Sequence, residues 1–222
     1  MTLTLLNLYN ECASQPWSMY DSDAETIDDI EAALKISINK AISYLWNLQD
    51  WSFRLNNQTI KAKTNRASYS MPNGNILKKT IKGVEKYYVR YNNSFLDYIY
   101  DIDSLEEDTG EPEYFYIEND TLYLYPTPDD SYTISVKYLL FPYGLSDDGE
   151  QVNELTEDDD YINIPEKYET LFKNCVISLA MMYAIADESD ENYSGYKKQY
   201  EDALGVLDKY CKNSVADRYV RW

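Results

Sequence analysis

Tyr114-Phe115-Tyr116-Ile117-Glu118-Asn119-Asp120-Thr121-Leu122-Tyr123-Leu124-Tyr125 alternates apolar and aromatic residues on both sides of a polar centre. A period of two is a strand signal, and Asn119-Asp120 suits the two-residue loop of a tight hairpin. With that loop, Ile117 faces Leu122 and Phe115 faces Leu124 on one side, while Tyr116 faces Tyr123 and Tyr114 faces Tyr125 on the other. The aliphatic side is expected to pack inward and the four tyrosines to lie on the surface or against another chain. After Pro126-Thr127-Pro128, a further strand alternates Tyr132, Ile134, Val136, Tyr138 and Leu140. Upstream, Thr59–Thr64, Ser68–Met71 and Lys86–Tyr91 read as short strands, with a turn at Pro72-Asn73-Gly74.

The flanks have helical periodicity instead. Leu3, Leu6, Leu8, Tyr9 and Cys12 predict a short first helix. Asp21, Ser22 or Asp23 can cap a second, whose first turns hold Asp23, Glu25, Asp28 and Asp29, as the helix dipole favours. Its apolar stripe runs Ile27, Ile30, Leu34, Ile38, Ala41, Ile42, Leu45 and ends near Trp46–Trp51. Pro165 opens a third helix, where its missing N–H costs nothing. Tyr168, Leu171, Phe172, Cys175, Leu179, Met182, Tyr183 and Ala186 line that helix. A break at Asp187–Asp190 leads to a fourth, with Tyr193, Tyr196, Tyr200, Ala203, Leu204, Leu207 and Cys211. So short a link predicts antiparallel packing. The fold class is therefore α+β. Residues 1–53 and 163–212 are expected to form an antiparallel helical bundle, with 54–145 a small antiparallel β-rich insertion. Residues 146–162 read as an acidic loop and 213–222 as a C-terminal tail.

Composition narrows the function. In 222 residues, 44% are apolar, enough for a real core. Tyrosine is abundant, 24 against 5 phenylalanines, and gives apolar ring area with a polar tip suited to contact surfaces. A net charge of −19 repels nucleic acid and anionic membrane. There is no histidine, which removes Ser-His-Asp and Cys-His mechanisms and histidine metal ligands. Phosphate-binding glycine motifs are absent too. Cys12, Cys175 and Cys211 lack metal spacing and read as buried free thiols of a reducing compartment. An acidic run from Asp21 begins like a calcium loop, but Thr26 stands where glycine is needed and Ala32 where the closing glutamate belongs. No secretory signal is expected in Met1–Asn10, and no apolar run is long enough to span a membrane. The expectation is a protein with no catalytic residues, metal or cofactor. A carboxylate pair formed in space would leave no local signature.

Charge is unevenly spread. Arg54, Lys61, Lys63, Arg66, Lys78, Lys79, Lys82, Lys86 and Arg90 stand against the single acid Glu85, a net +8, leaving −27 for the rest. Three readings remain open for this segment. Lys61, Lys63, Arg66, Lys78, Lys79, Lys82 and Lys86 can form an inter-subunit patch that meets the acidic loops of a neighbouring copy, with Asp147, Asp148, Glu150, Asp158, Asp159 and Asp160 as partners. They can instead approach DNA phosphates in a channel. Or they form a solvated face balanced within one subunit.

The order of features resembles a known family. A long amphipathic helix ends in Trp46-Asn47-Leu48-Gln49-Asp50-Trp51-Ser52-Phe53, and Tyr69-Ser70-Met71-Pro72 follows a basic strand. Then come Leu122-Tyr123-Leu124-Tyr125-Pro126-Thr127-Pro128-Asp129-Asp130-Ser131-Tyr132 and a strand ending in Tyr138-Leu139-Leu140-Phe141-Pro142. Asp158-Asp159-Asp160-Tyr161-Ile162-Asn163-Ile164-Pro165-Glu166 opens the last helices. Over roughly residues 26–210 this is similar to the head-to-tail adaptor proteins of tailed bacteriophages, also called connector, head-completion or tail-tubular-A-like proteins. The Tyr- and Asn-rich style resembles ring proteins of crAss-like phages. The acidic stretch Asp101 to Glu113 is longer than in that family, and the C-terminal tail is short. The resemblance implies a virion structural protein made in the host cytoplasm: a twelve-copy homo-oligomeric neck ring docked on the portal, bridging to the next tail or ring protein and lining the DNA exit channel. Tyr114, Tyr116, Tyr123 and Tyr125, with Arg218, Tyr219, Arg221 and Trp222 of the tail, are then the candidate partner contacts. The competing reading of the tyrosines is an intramolecular cluster. The competing reading of the whole chain is a soluble acidic host-directed inhibitor that mimics DNA.

Overall fold

The computed structural model describes residues 3–15, 27–101, 105–185 and 187–211. It is α+β, with four helices and several mainly antiparallel sheets among those residues. Two compact units divide it: residues 54–141, and residues 1–53 together with 142–222.

In the first unit the strands are β1 (Leu55–Ala62), β2 (Ser68–Ser70), β3 (Gly74–Ile76), β4 (Lys78–Ile81) and β5 (Val84–Tyr87). There follow β6 (Val89–Tyr91), β7 (Ser94–Phe95), β8 (Asp97–Tyr98) and β9 (Thr109–Gly110). The series closes with β10 (Tyr114–Glu118), β11 (Thr121–Tyr125), β12 (Thr127–Pro128) and β13 (Tyr132–Leu140). One sheet runs β1-β13-β6-β7, with β3 also paired to β13, and a second runs β2-β11-β10-β8. Ile60, Val89, Ile134 and Val136 of the first share a core with Tyr69, Phe115, Leu122 and Leu124 of the second. Alternation explains this, because each strand turns every second residue to one face. Three two-residue turns have both central residues at positive φ: Lys82-Gly83, Asn92-Asn93 and Asn119-Asp120. Such turns match the right-handed twist of the strands they join. Gly74 is required where β3 meets β13, since a Cβ there would lie 2.2 Å from the Leu139 carbonyl oxygen.

The second unit holds α1 (Leu5–Ala13), α2 (Ile27–Leu48), α3 (Glu166–Ile185) and α4 (Glu191–Cys211), with β14 (Gly144–Leu145), β15 (Gln151–Val152) and β16 (Tyr161–Ile162). Thr4 caps α1 by accepting from the Asn7 N–H at 3.2 Å. α3 packs on α4 and α2, and α1 packs on α2 and α3. The tryptophan-rich segment closes one end. Trp51 donates its indole N–H to the Leu45 carbonyl and stacks on Phe53, while Trp46 and Phe53 both meet Phe172. Cys12, Cys175 and Cys211 are buried thiols.

Several elements differ from the sequence reading. The expected strand Lys86–Tyr91 is broken at Tyr88, whose N–H and C=O leave the line to bond Leu77 and Lys137. Its first half belongs to the unforeseen β4–β5 hairpin. β1 starts four residues earlier than Thr59, because Leu55 to Gln58 pair with β13 although Asn56, Asn57 and Gln58 are polar. Two short pairings, β8 with β10 and β9 with β12, are parallel. The acidic segment 146–162 is partly strand, with β14 paired to both β15 and β16. The capping and calcium-loop readings at Asp21 to Glu25 lie outside the described residues.

Candidate functional site

The tyrosine face is a ladder. Tyr114 pairs with Tyr125 and Tyr116 with Tyr123, the register read from the sequence. The Tyr116 and Tyr123 rings stack with centroids 4.7 Å apart and planes 1° from parallel. Tyr114 and Tyr125 tilt at 49°, 6.3 Å apart. Phe115, Leu122 and Leu124 fill the core beneath, while on the outer side Tyr114 is exposed and Tyr116, Tyr123 and Tyr125 are half-buried. Partial burial pushes the Tyr116 hydroxyl above its ordinary 10.0, with Tyr123 and Glu118 adding to the shift. Asp97 lies beside Tyr114 and Ser68 beside Tyr123 in the neighbouring strands.

The seven basic candidates fall in two stretches. Lys61 is the penultimate residue of β1, and exposed Lys63 and Arg66 lie in the loop after it. Arg66 lies over the Tyr69 ring and donates from Nε to the Ser68 carbonyl at 2.9 Å. Lys78, Lys79, Lys82 and Lys86 belong to the β4–β5 hairpin. Lys78 lies over the Tyr87 ring, 4.7 Å from its centroid, and 3.5 Å from a Glu85 carboxylate oxygen. Its hydrogen bond to Tyr87 is the main cause of a raised pKa, with Glu85 contributing. Lys86 pairs with Asp97. Lys79 stands opposite Lys86, and exposed Lys82 forms the turn. The remaining basic residues of the segment are not surface ligands of the same kind: buried Arg54 donates to the Leu140 carbonyl, and Arg90 lies over Phe95.

Among the acidic candidates, Asp147, Asp148, Glu150 and Asp159 are exposed. Asp158 forms an ion pair with Lys35 at 2.8 Å in the same unit. Asp160, expected with the surface acids, is instead 3% exposed. Its carboxylate accepts from the Thr156 and Glu157 N–H groups at 2.7 and 2.9 Å, so it holds the loop closed from inside. Arg218, Tyr219, Arg221 and Trp222 lie outside the described residues.

Sequence reasoning missed two features. Asn39 on α2 donates to the Leu155 carbonyl at 2.8 Å and accepts from the Leu155 N–H and the Tyr143 hydroxyl at 2.9 and 3.0 Å. This latches the acidic segment to the helix, and nothing local announces it. Ile36, Tyr44 and Leu48 of α2 are exposed apolar residues off the buried stripe, a signal that was visible. Among the described residues no acid or cysteine cluster is placed to hold a metal ion. Nor is any described helix long and apolar enough to cross a membrane.

The described residues thus present a tyrosine ladder on one hairpin, a basic hairpin in the same unit, and exposed acids in a separate segment. The chain belongs to the SU10 adaptor protein family, whose model matches residues 13–221. It is accordingly a bacteriophage adaptor and virion structural protein, and the family is not one of enzymes. No curated protein sequence matches the chain.

Proposed function

We propose that this adaptor is one subunit of a ring at the neck of a tailed phage, twelve copies docked on the portal and bridging to the next tail or ring protein. The family match over nearly the whole chain carries this reading. In it, the Tyr114–Tyr116–Tyr123–Tyr125 ladder is a contact with a protein partner, since half-exposed aromatic rings already held by stacking on a paired hairpin lose little entropy on docking. The β4–β5 hairpin, with Lys78, Lys79 and Lys82, meets Asp147, Asp148, Glu150 and Asp159 of the neighbouring copy. Opposite patches on one chain set the direction of a head-to-tail ring. DNA passes through the ring without specific readout, kept from adhering by the net charge of −19. The tail at Arg218 to Trp222 reaches a partner, and the phage is crAss-like.

The test is imaging of the purified chain with and without the portal protein of the same phage. Rings on portal are expected; a chain that ignores portal ends the reading. In the triple variant Lys78→Glu, Lys79→Glu, Lys82→Glu, rings are expected to fail. Unchanged rings would remove the hairpin from the interface.

A further inference from the structure

One face of α2 is exposed among the described residues, although Lys40 on it reaches over the Tyr183 ring of α3. Ile36, Lys40, Tyr44 and Leu48 follow one another at four-residue steps, and Ile36 is 67% exposed. From Ala32 to Gln49 there is no Asp or Glu, in a chain that has 39 of them. On α4, Asp202, Val206 and Tyr210 are exposed at the same spacing. Gly195 and Gly205 are exposed on that helix, and a Cβ at either would meet nothing within 4 Å. Glycine inside a helix costs stability, and among the described residues no close neighbour requires it at either position.

The helix directions fix how the two faces can meet. Trp46 packs on Phe172 and Lys40 lies over Tyr183, so α2 runs antiparallel to α3. α4 reverses α3, and it therefore runs parallel to α2; Gln49 accordingly reaches Asp208 at 2.8 Å near both C-terminal ends. A copy rotated about an axis along the helices still presents its α4 parallel to α2.

We propose that the acid-free face of α2 docks against the Asp202–Val206–Tyr210 face of α4 in a second copy of this chain. The proposal rests on the ring reading above and specifies its helical contact. In parallel register Lys40 meets Asp202, Tyr44 meets Val206 and Leu48 meets Tyr210. The first step pairs opposite charges and the other two pair apolar or aromatic residues, and α2 brings no acid of its own to face Asp202. Because the two faces differ, every copy uses both, so the contact propagates around a ring instead of stopping at a dimer.

The test uses two full-length variants, Lys40→Cys and an affinity-tagged Asp202→Cys, oxidised separately and mixed, alone and on portal. The native cysteines are buried and do not compete. A mixed disulfide is expected about tenfold above either self-disulfide, as a heterologous contact requires. The charge variants give an independent arm: Lys40→Asp is expected to abolish association, and Lys40→Asp with Asp202→Lys to restore it. Both positions are exposed, so folding, followed by circular dichroism, should not change. Self-disulfides at equal yield would overturn the contact. Rings on portal with no mixed disulfide would overturn it too, and would leave the adaptor reading standing. Chains that neither cross-link nor assemble on portal would overturn both.

Discussion

At the scale of single residues, the acidic segment depends on a few polar side chains used fully. Asn39 satisfies both backbone groups of buried Leu155 and the hydroxyl of buried Tyr143. Asn39→Ala leaves all three groups without that partner, each with a desolvation cost, so a loss of ~2–4 kcal/mol is expected in urea unfolding. A loss below ~0.5 kcal/mol would show that the latch is dispensable. The buried thiols give a second prediction, on pH. Burial pushes Cys12 from an ordinary 9.0 to about 12, with Glu11 adding to it. Burial does the same to Cys175, with Cys211 contributing. A raised folded pKa means that the unfolded thiol ionises first. The stabilisation is complete below pH 9 and is lost as pH rises from 9 toward 12, by up to ~1.4 kcal/mol per unit and per thiol. Cys12→Ala is therefore expected to flatten the fall of stability above pH 9 relative to the native chain. Equal slopes in unfolding titrations would count against a buried thiol there.

At the scale of elements, the two sides of the β10–β11 hairpin should separate stability from assembly. Phe115 is wholly buried, and Phe115→Ala is expected to cost ~3–5 kcal/mol of folding stability. Tyr123→Ala removes half of a surface stack, which is worth only ~0.5–1.5 kcal/mol to the fold. If the ladder is a contact, Tyr123→Ala weakens partner binding by at least ~2 kcal/mol while thermal denaturation barely changes. Equal binding by both proteins would return the ladder to an intramolecular role. This hairpin was legible because strict alternation, an Asn-Asp turn and a core-facing side agree over twelve consecutive residues. The helices were legible for the same reason, from apolar stripes repeated over several turns. β4–β5 was not, since Lys79 facing Lys86 and a lysine in the turn hide the strand pattern. Strands of two residues, such as β14 and β15, are too short to show a period at all. Asp160 escaped for another reason: an acid buried by backbone N–H groups reads the same as an exposed one.

At the scale of the molecule, the chain leaves the helical unit and returns to it through strands that lie side by side. Leu55 pairs with Leu139 at the two ends of the β-rich unit, and Arg54 donates to the Leu140 carbonyl. Cα atoms paired across antiparallel strands are ~5 Å apart, so the unit closes on itself within two residues of its boundaries. It also has its own core, shared by two sheets. Adjacent ends and a private core are the conditions under which a unit folds without the rest. Residues 54–141 expressed alone are expected to unfold cooperatively, with a stability of ~4–13 kcal/mol for their length. The converse variant replaces residues 55–140 with a short Gly-Ser linker and should keep the helical circular dichroism signal, because α1 to α4 pack on one another and the core residues Leu8, Leu45, Trp46 and Phe172 all lie on them. Such a variant also divides the surfaces. It retains the α2 and α4 faces and loses both the tyrosine ladder and the basic hairpin. Cross-linking between Lys40→Cys and Asp202→Cys should therefore survive in it as pairs of chains, although rings do not close without the basic hairpin, while binding to the ladder's partner disappears. If the shortened chain failed to fold, the helical unit would depend on the insertion, and the surfaces of the two could not be treated as separate instruments of assembly.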